Sequence, residues 1–226
     1  MDYLNYNKPV KQPLPSDEVL DLFPIPLLVS SYTLDYTKEL EWIKSCNYNK
    51  NSVVSDNLDA KFTSRQSKDT FILDRPELIN IRSFIEEKLS YYANNVLQSS
   101  SELVITQSWS NINGKGEWHD EHIHPNSIVS GVFYLHNNDS LPPIRFKRKY
   151  SSEVNLSIKK YNRYNNNFVQ YSFNNGDLIF FPSHLHHSVP SNQSDEERIS
   201  LSFNTWAKGN LGDKKSLTYL PLDRCV

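Results

Sequence analysis

The apolar side chains change their period about halfway along the chain. Between Arg75 and Leu97, the residues Leu78, Ile81, Ile85, Leu89 and Tyr92 recur at three- and four-residue steps. That spacing lines one side of an α-helix, and Pro76 suits its first turn, where no backbone N–H is needed. A shorter helix is expected near residues 34–45, with Leu34, Leu40, Trp42 and Ile43 turned to the core. Before it, residues 23–30 form an apolar strand whose prolines confine it to a sheet edge. Residues 1–20 are polar and proline-bearing, without apolar period, and read as a flexible N-terminal arm. The polar stretch 51–70 reads as a long loop carrying short strand pieces.

From Glu102 the rhythm becomes that of short strands parted by turn residues. They are expected over 103–111, 117–124, 128–135, 144–147, 167–173, 178–181 and 198–206. Strands at this spacing point to a sandwich or barrel. Helices first and strands after give an α+β fold, with two N-terminal helices buttressing one sheet face. The expected organisation is one domain over residues 21–226, with helices within about 34–97 and a β core within about 102–207.

Composition adds an asymmetry. None of the seven histidines precedes His119 and none of the six glycines precedes Gly114. Turn-permitting glycine and metal-competent imidazole therefore share one half of the chain. A net charge of −2 argues against a generally basic nucleic-acid binder without excluding a local basic patch. No apolar run approaches the roughly 20 residues that span a bilayer, and no basic-then-apolar leader opens the sequence. The two cysteines, Cys46 and Cys225, make no disulfide framework, which points to a reducing, cytoplasmic setting.

Three segments carry candidate chemistry. In Gly116–Pro125, strand alternation puts Asp120, His122 and His124 on one face and His119, Glu121 and Ile123 on the other. Two imidazoles at i and i+2 can bind one metal, although imidazole suits iron, zinc, copper and nickel alike. In Gly176–Val189, a Gly-Asp turn feeds an apolar strand that Pro182 breaks, and His184, His186 and His187 follow. In Arg198–Asn204, Arg198, Ser200, Ser202 and Asn204 alternate with Ile199, Leu201 and Phe203. An arginine lining a barrel is costly unless paired, and an anion gripped by the guanidinium fork is the natural partner.

These segments in this order resemble the 2-oxoglutarate- and Fe(II)-dependent oxygenase family, and more narrowly its bacterial and cyanophage members with an HxHP motif. The resemblance spans about residues 103–207 and implies a double-stranded β-helix of the jelly-roll, cupin-like kind. It implies an iron-binding oxidoreductase, a dioxygenase of probable-hydroxylase type whose partners are 2-oxoglutarate, O2 and an unspecified primary substrate. For a phage-encoded chain, the setting would be the host cytoplasm. By the resemblance, His122, His124 and His187 hold Fe(II), Arg198 holds the distal carboxylate of 2-oxoglutarate, and Tyr134 and Ser200 assist it. The pattern departs from the family at one ligand: His124 stands where relatives carry an acid. The iron set is then His122, His124 and His187, or Asp120 supplies the acid, or His119 and Glu121 form a shifted pair. Val132, Ile179 and Phe181 would furnish apolar walls. A three-histidine, cupin-like dioxygenase without 2-oxoglutarate and a non-catalytic β-helix ligand-binding domain are the alternatives.

His136 is expected exposed in a turn, His184 and His186 in the pocket wall, and His119 behind the ligands or exposed. One further segment stands out. Within 145–164, seven basic residues face a single acid, Glu153, with tyrosines interleaved. It reads either as a lip gathering an anionic substrate, nucleic acid included, or as a solvated insert between strands.

Overall fold

The computed structural model describes residues 19, 21–49, 63–149 and 156–222. The expected N-terminal arm, much of the 51–70 loop, Tyr150, Glu153 and Cys225 lie outside these residues.

The chain enters through strand β1 (Leu28–Ser31) and helix α1 (Thr37–Ser45). Strand β1 is shorter than its apolar run. Pro24 and Pro26 lack the N–H a ladder needs, and Phe23 sits at φ 54°. Helix α1 starts three residues later than its pattern suggests, because Asp35 accepts hydrogen bonds from the Thr37 N–H and hydroxyl (3.1 and 2.6 Å) and stops the helix there. Leu34 is consequently exposed, contrary to its expected core position, while Ile43 is fully buried.

Strand β2 (Arg65–Gln66) and two 3-10 turns, Ile72–Asp74 and Pro76–Leu78, lead into α2 (Ile79–Tyr91). A π-helical turn over Tyr92–Val96 closes it. Leu78, Ile81, Ile85, Leu89 and Tyr92 are each at most 1% exposed, so the helical period of the sequence is the buried stripe.

Eight strands follow: β3 (Leu103–Asn113), β4 (His119–His122), β5 (Val129–His136), β6 (Ile144–Lys147), β7 (Phe168–Tyr171), β8 (Asp177–Pro182), β9 (His187–Val189) and β10 (Arg198–Ala207). Only β9 has no counterpart among the expected strands. It is three residues long, too short for a period to register. The larger sheet runs β1-β8-β5-β10-β3-β2 and the smaller β4-β9-β6-β7, with antiparallel pairing throughout.

Two cores result. The stripe of α2 packs with Phe133, Leu135, Ile199, Leu201 and Phe203 on the outer face of the larger sheet. Between the sheets lie Val132, Tyr134, Ile179 and Phe181 from the larger, Ile144 and Phe146 from the smaller, and Phe173. The fold is thus a β-rich α+β jelly roll buttressed by N-terminal helices. Gly176 makes one tight turn possible: its φ is +83°, and a Cβ there would stand 2.5 Å from the Tyr32 carbonyl oxygen.

Candidate metal centre and anion pocket

Strands β4 and β9 pair with His122 opposite His187. His124 follows β4 directly, held by a hydrogen bond from its N–H to the Ser183 carbonyl (2.9 Å). Ring nitrogens of His122, His124 and His187 all lie within 4.8 Å of one another. Among the described residues this is the one group of three or more His, Cys, Asp or Glu side chains so arranged. The Nε2 atoms of His124 and His187 are 3.2 Å apart. Two nitrogens each about 2.1 Å from one ion, at right angles, stand about 3.0 Å apart.

Backbone carbonyls set the tautomers. His122 Nδ1 donates to the Asp120 carbonyl (2.7 Å) and His187 Nδ1 to the Leu185 carbonyl (2.8 Å). A carbonyl can only accept, so both Nδ1 atoms carry the proton and both Nε2 atoms offer lone pairs. Burial drives all three imidazoles toward the neutral form. His124 is pushed down to about 3, first by desolvation and then by His122, and His187 and His122 are likewise lowered mainly by desolvation. Phe181 packs edge-on to the His187 ring, with centroids 4.9 Å apart.

Neither neighbouring acid joins the group. The Asp120 carboxylate accepts from the Trp118 indole N–H (3.0 Å). Glu121 instead meets His186 (3.1 Å) and Lys147 (2.7 Å). Strict alternation along 117–124 also fails. The β4–β9 register shifts between His119 and His122, and such an irregularity re-aims side chains. His119 therefore lines the same cavity as His122 and His124 instead of the opposite face. It is buried, touches Ser64, and is held well below the usual imidazole range by desolvation, with His122 and Arg198 adding to the effect.

That cavity holds about 360 Å3 between the two sheets. Its floor is the inner face of β10, where Arg198, Ser200, Ser202 and Asn204 line the wall as their alternation requires. Arg198 is 2% exposed, and among the described residues it forms no ion pair with a carboxylate. Its Nη1 donates to Ser200 (3.3 Å) and its Nε has no hydrogen-bond partner. Tyr134 stands behind Arg198, with the guanidinium carbon 5.0 Å from its ring centroid, and does not line the cavity. Its hydroxyl, pushed up to about 12 by burial against the pull of Arg198, has no hydrogen-bond partner of good geometry.

Sequence reasoning left out the wall that β3 contributes. Register pairs Ser200 with Asn111, Ser202 with Trp109 and Asn204 with Gln107. Asn111 donates to Ser202 (2.9 Å), and the Trp109 ring lies 5.8 Å from that of His124. The i, i+2 row Gln107, Trp109, Asn111, Asn113 was the available signal. The other histidines lie apart from the group. His184 and His186 line a separate cleft, and His136 is half-buried beside Glu196 (3.3 Å) at the end of β5. Val132 and Phe181 do wall the cavity; Ile179 packs behind them.

Residues 107–204 match the family model described as "Putative 2OG-Fe(II) oxygenase". No curated protein matches the chain in sequence. Solved structures share its fold. A prolyl-4-hydroxylase from Pseudomonas putida is 13% identical, with a TM-score of 0.53 over 81% of this chain and 92% of that one. HygX from Streptomyces hygroscopicus, with nickel and 2-oxoglutarate bound, is 10% identical, with a TM-score of 0.54 over 80% and 82%. A Trichoplax adhaerens prolyl hydroxylase, in complex with a hypoxia inducible factor peptide, is 16% identical, with a TM-score of 0.52 over 80% and 82%. The family match runs from β3 to β10, and these structures share the fold around it.

Proposed function

We propose that the protein is an Fe(II)- and 2-oxoglutarate-dependent oxygenase, with His122, His124 and His187 as iron ligands and Arg198 as the cosubstrate anchor. The donor set fits such a metal. Three neutral imidazoles converge on one point with two tautomers fixed, and imidazole is a good ligand for divalent iron. The cavity fits the cosubstrate as well. A buried guanidinium without an acid partner is costly, and the orphaned Arg198 Nε and Tyr134 hydroxyl are donors that a carboxylate would satisfy. Bound Fe(II) and 2-oxoglutarate supply oxidative decarboxylation coupled to oxidation of the primary substrate by O2. Ser200 orients the Arg198 guanidinium, Tyr134 backs it, and Val132 and Phe181 keep water from the metal side of the cavity. The bound nickel and 2-oxoglutarate of HygX support the reading by analogy of fold.

The carrying observation is the buried Arg198, without a carboxylate partner among the described residues, opening into the cavity of the three histidines. A three-histidine dioxygenase that takes no 2-oxoglutarate has the absence of a carboxylate from the ligand group in its favour, but leaves Arg198 without a counter-ion. Anaerobic titration decides. Fe(II) plus 2-oxoglutarate should give a weak visible charge-transfer band. His187→Ala should abolish it by lowering metal affinity by at least roughly 100-fold. Arg198→Met should keep the metal yet weaken 2-oxoglutarate by about 2–5 kcal/mol, at least about 30-fold. Unaltered 2-oxoglutarate affinity in Arg198→Met would remove the basis for the cosubstrate.

A further inference from the structure

A second cleft, of about 500 Å3, adjoins the metal cavity. Ile123, between two of the proposed ligands, lines both. Phe146 lines the cleft and also packs toward His187, with ring centroids 6.3 Å apart. The cleft floor is apolar: Leu27, Phe146 and Leu185. Its rim is basic: Lys147, Arg148, Lys149 and Arg163 line it, and among the described residues no acid does.

The rim charges differ in what already holds them. Lys147 is tied to Glu121 (2.7 Å), and Arg163 lies 3.4 Å from Asp21. Arg148 spends Nη1 and Nη2 on the carbonyls of Tyr164 (2.8 Å) and Arg163 (3.1 Å), which fixes the guanidinium without neutralising it. Neither Arg148 nor Lys149 forms an ion pair with any described carboxylate. On the open side, Ile25, Phe168, Val169 and Tyr171 are exposed apolar side chains gathered at one edge. An apolar patch with a charged rim marks a binding surface.

We infer that this cleft binds the primary substrate, and that the substrate is a small amphipathic anion: an apolar body on the Phe146–Leu185 floor and a carboxylate or phosphate at Arg148 and Lys149. The inference rests on the oxygenase reading for the word substrate, and on the cleft alone for the ligand class. The size suits one small molecule. A nucleic acid would need a longer basic track than one rim in a chain of net charge −2. Lys147, Arg148, Lys149 and Arg163 then form one wall of a pocket and not a polyanion track.

The test is calorimetric binding of dodecyl phosphate, dodecanoate and dodecan-1-ol, below their micellar concentrations, to the full-length protein. Both anions, or one of them, should bind at least tenfold more tightly than the alcohol, and their order tells phosphate from carboxylate. Lys149→Glu and Arg148→Gln should each weaken the anion at least tenfold. Lys149→Glu is the safer variant, because Lys149 holds no carbonyl among the described residues, unlike Arg148. Arg198→Met should leave anion binding intact. Equal binding of alcohol and anion, indifference to Lys149→Glu, or loss in Arg198→Met would each overturn the cleft assignment. The Fe(II)–2-oxoglutarate band reports separately. Its absence with anion binding intact would overturn the oxygenase reading and leave the ligand class standing.

Discussion

The chemistry of His124, which the motif resemblance sets where an acid is expected, follows from burial. An imidazole with an ordinary pKa near 6.5, lowered to about 3 in the fold, is neutral in the folded chain while its unfolded counterpart titrates. The unfolded state then binds more protons below pH 6.5, so the stability this group contributes is complete above 6.5 and drains as pH falls toward 3. Between pH 6.5 and 5 His124 alone withdraws about 2 kcal/mol. His119, His122 and His187 are shifted in the same direction for the same first reason, desolvation. Urea unfolding of the metal-free protein should therefore show a midpoint that falls steeply from pH 7 to pH 5. In His124→Gln the fall should be shallower. A midpoint flat across this range would contradict the buried neutral state. Such a state was only half legible in the sequence. The i, i+2 spacing of His122 and His124 announced a shared face, but the turning of His119 into the same cavity depends on a register shift against β9, and nothing in the residues of β4 encodes that shift.

At the scale of elements, β10 explains why one strand serves two purposes. Its odd and even residues divide between the helix-covered core and the cavity, so Ile199, Leu201 and Phe203 pack under α2 while Arg198 and Ser200 face the proposed cosubstrate. The outward half requires close contact with β5, where Phe203 lies opposite Gly131. A Cβ on Gly131 would stand 2.1 Å from the Phe203 ring. Gly131→Ala should therefore cost about 1–3 kcal/mol through overpacking, and Phe203→Leu in the same chain should recover part of it, since the two residues share one contact. Thermal unfolding of the single and double variants measures the coupling; additive losses would show that the clash is relieved elsewhere. The alternation of β10 and the helical period of α2 were readable because each repeats over ten or more residues. Strand β9 was not, and neither was the late start of α1, which is set by the Asp35–Thr37 hydrogen bonds instead of apolar spacing. The wall from β3 was missed for a third reason: Asn111 and Trp109 acquire meaning only through their pairing with Ser200 and Ser202.

In the molecule as a whole, the proposed iron site spans separate parts of the chain. His122 lies in β4 and His187 in β9, and His124 is tied to the Ser183 carbonyl just beyond β8. An ion held by the three would therefore join segments more than 60 residues apart in sequence, as the 63-residue separation of His124 and His187 shows. The unfolded chain cannot assemble that face, so binding free energy adds to folding free energy. At 100 times its dissociation constant the ion stabilises by about 2.7 kcal/mol. For a chain of this size that corresponds to a rise of about 5–10 °C in Tm. Ni(II), which avoids oxidation during the scan, should produce the rise in the full-length protein and should raise Tm by less than about 2 °C in His187→Ala. Adding 2-oxoglutarate to the Ni(II) form should raise Tm again, because a cosubstrate held by Arg198 would also bind only the folded state. In Arg198→Met the first rise should persist and the second should vanish, which separates the two halves of the site in one calorimetric series. Should Ni(II) raise Tm equally in His187→Ala, the ion would be bound elsewhere, and the three-histidine assignment would fail irrespective of any turnover measurement.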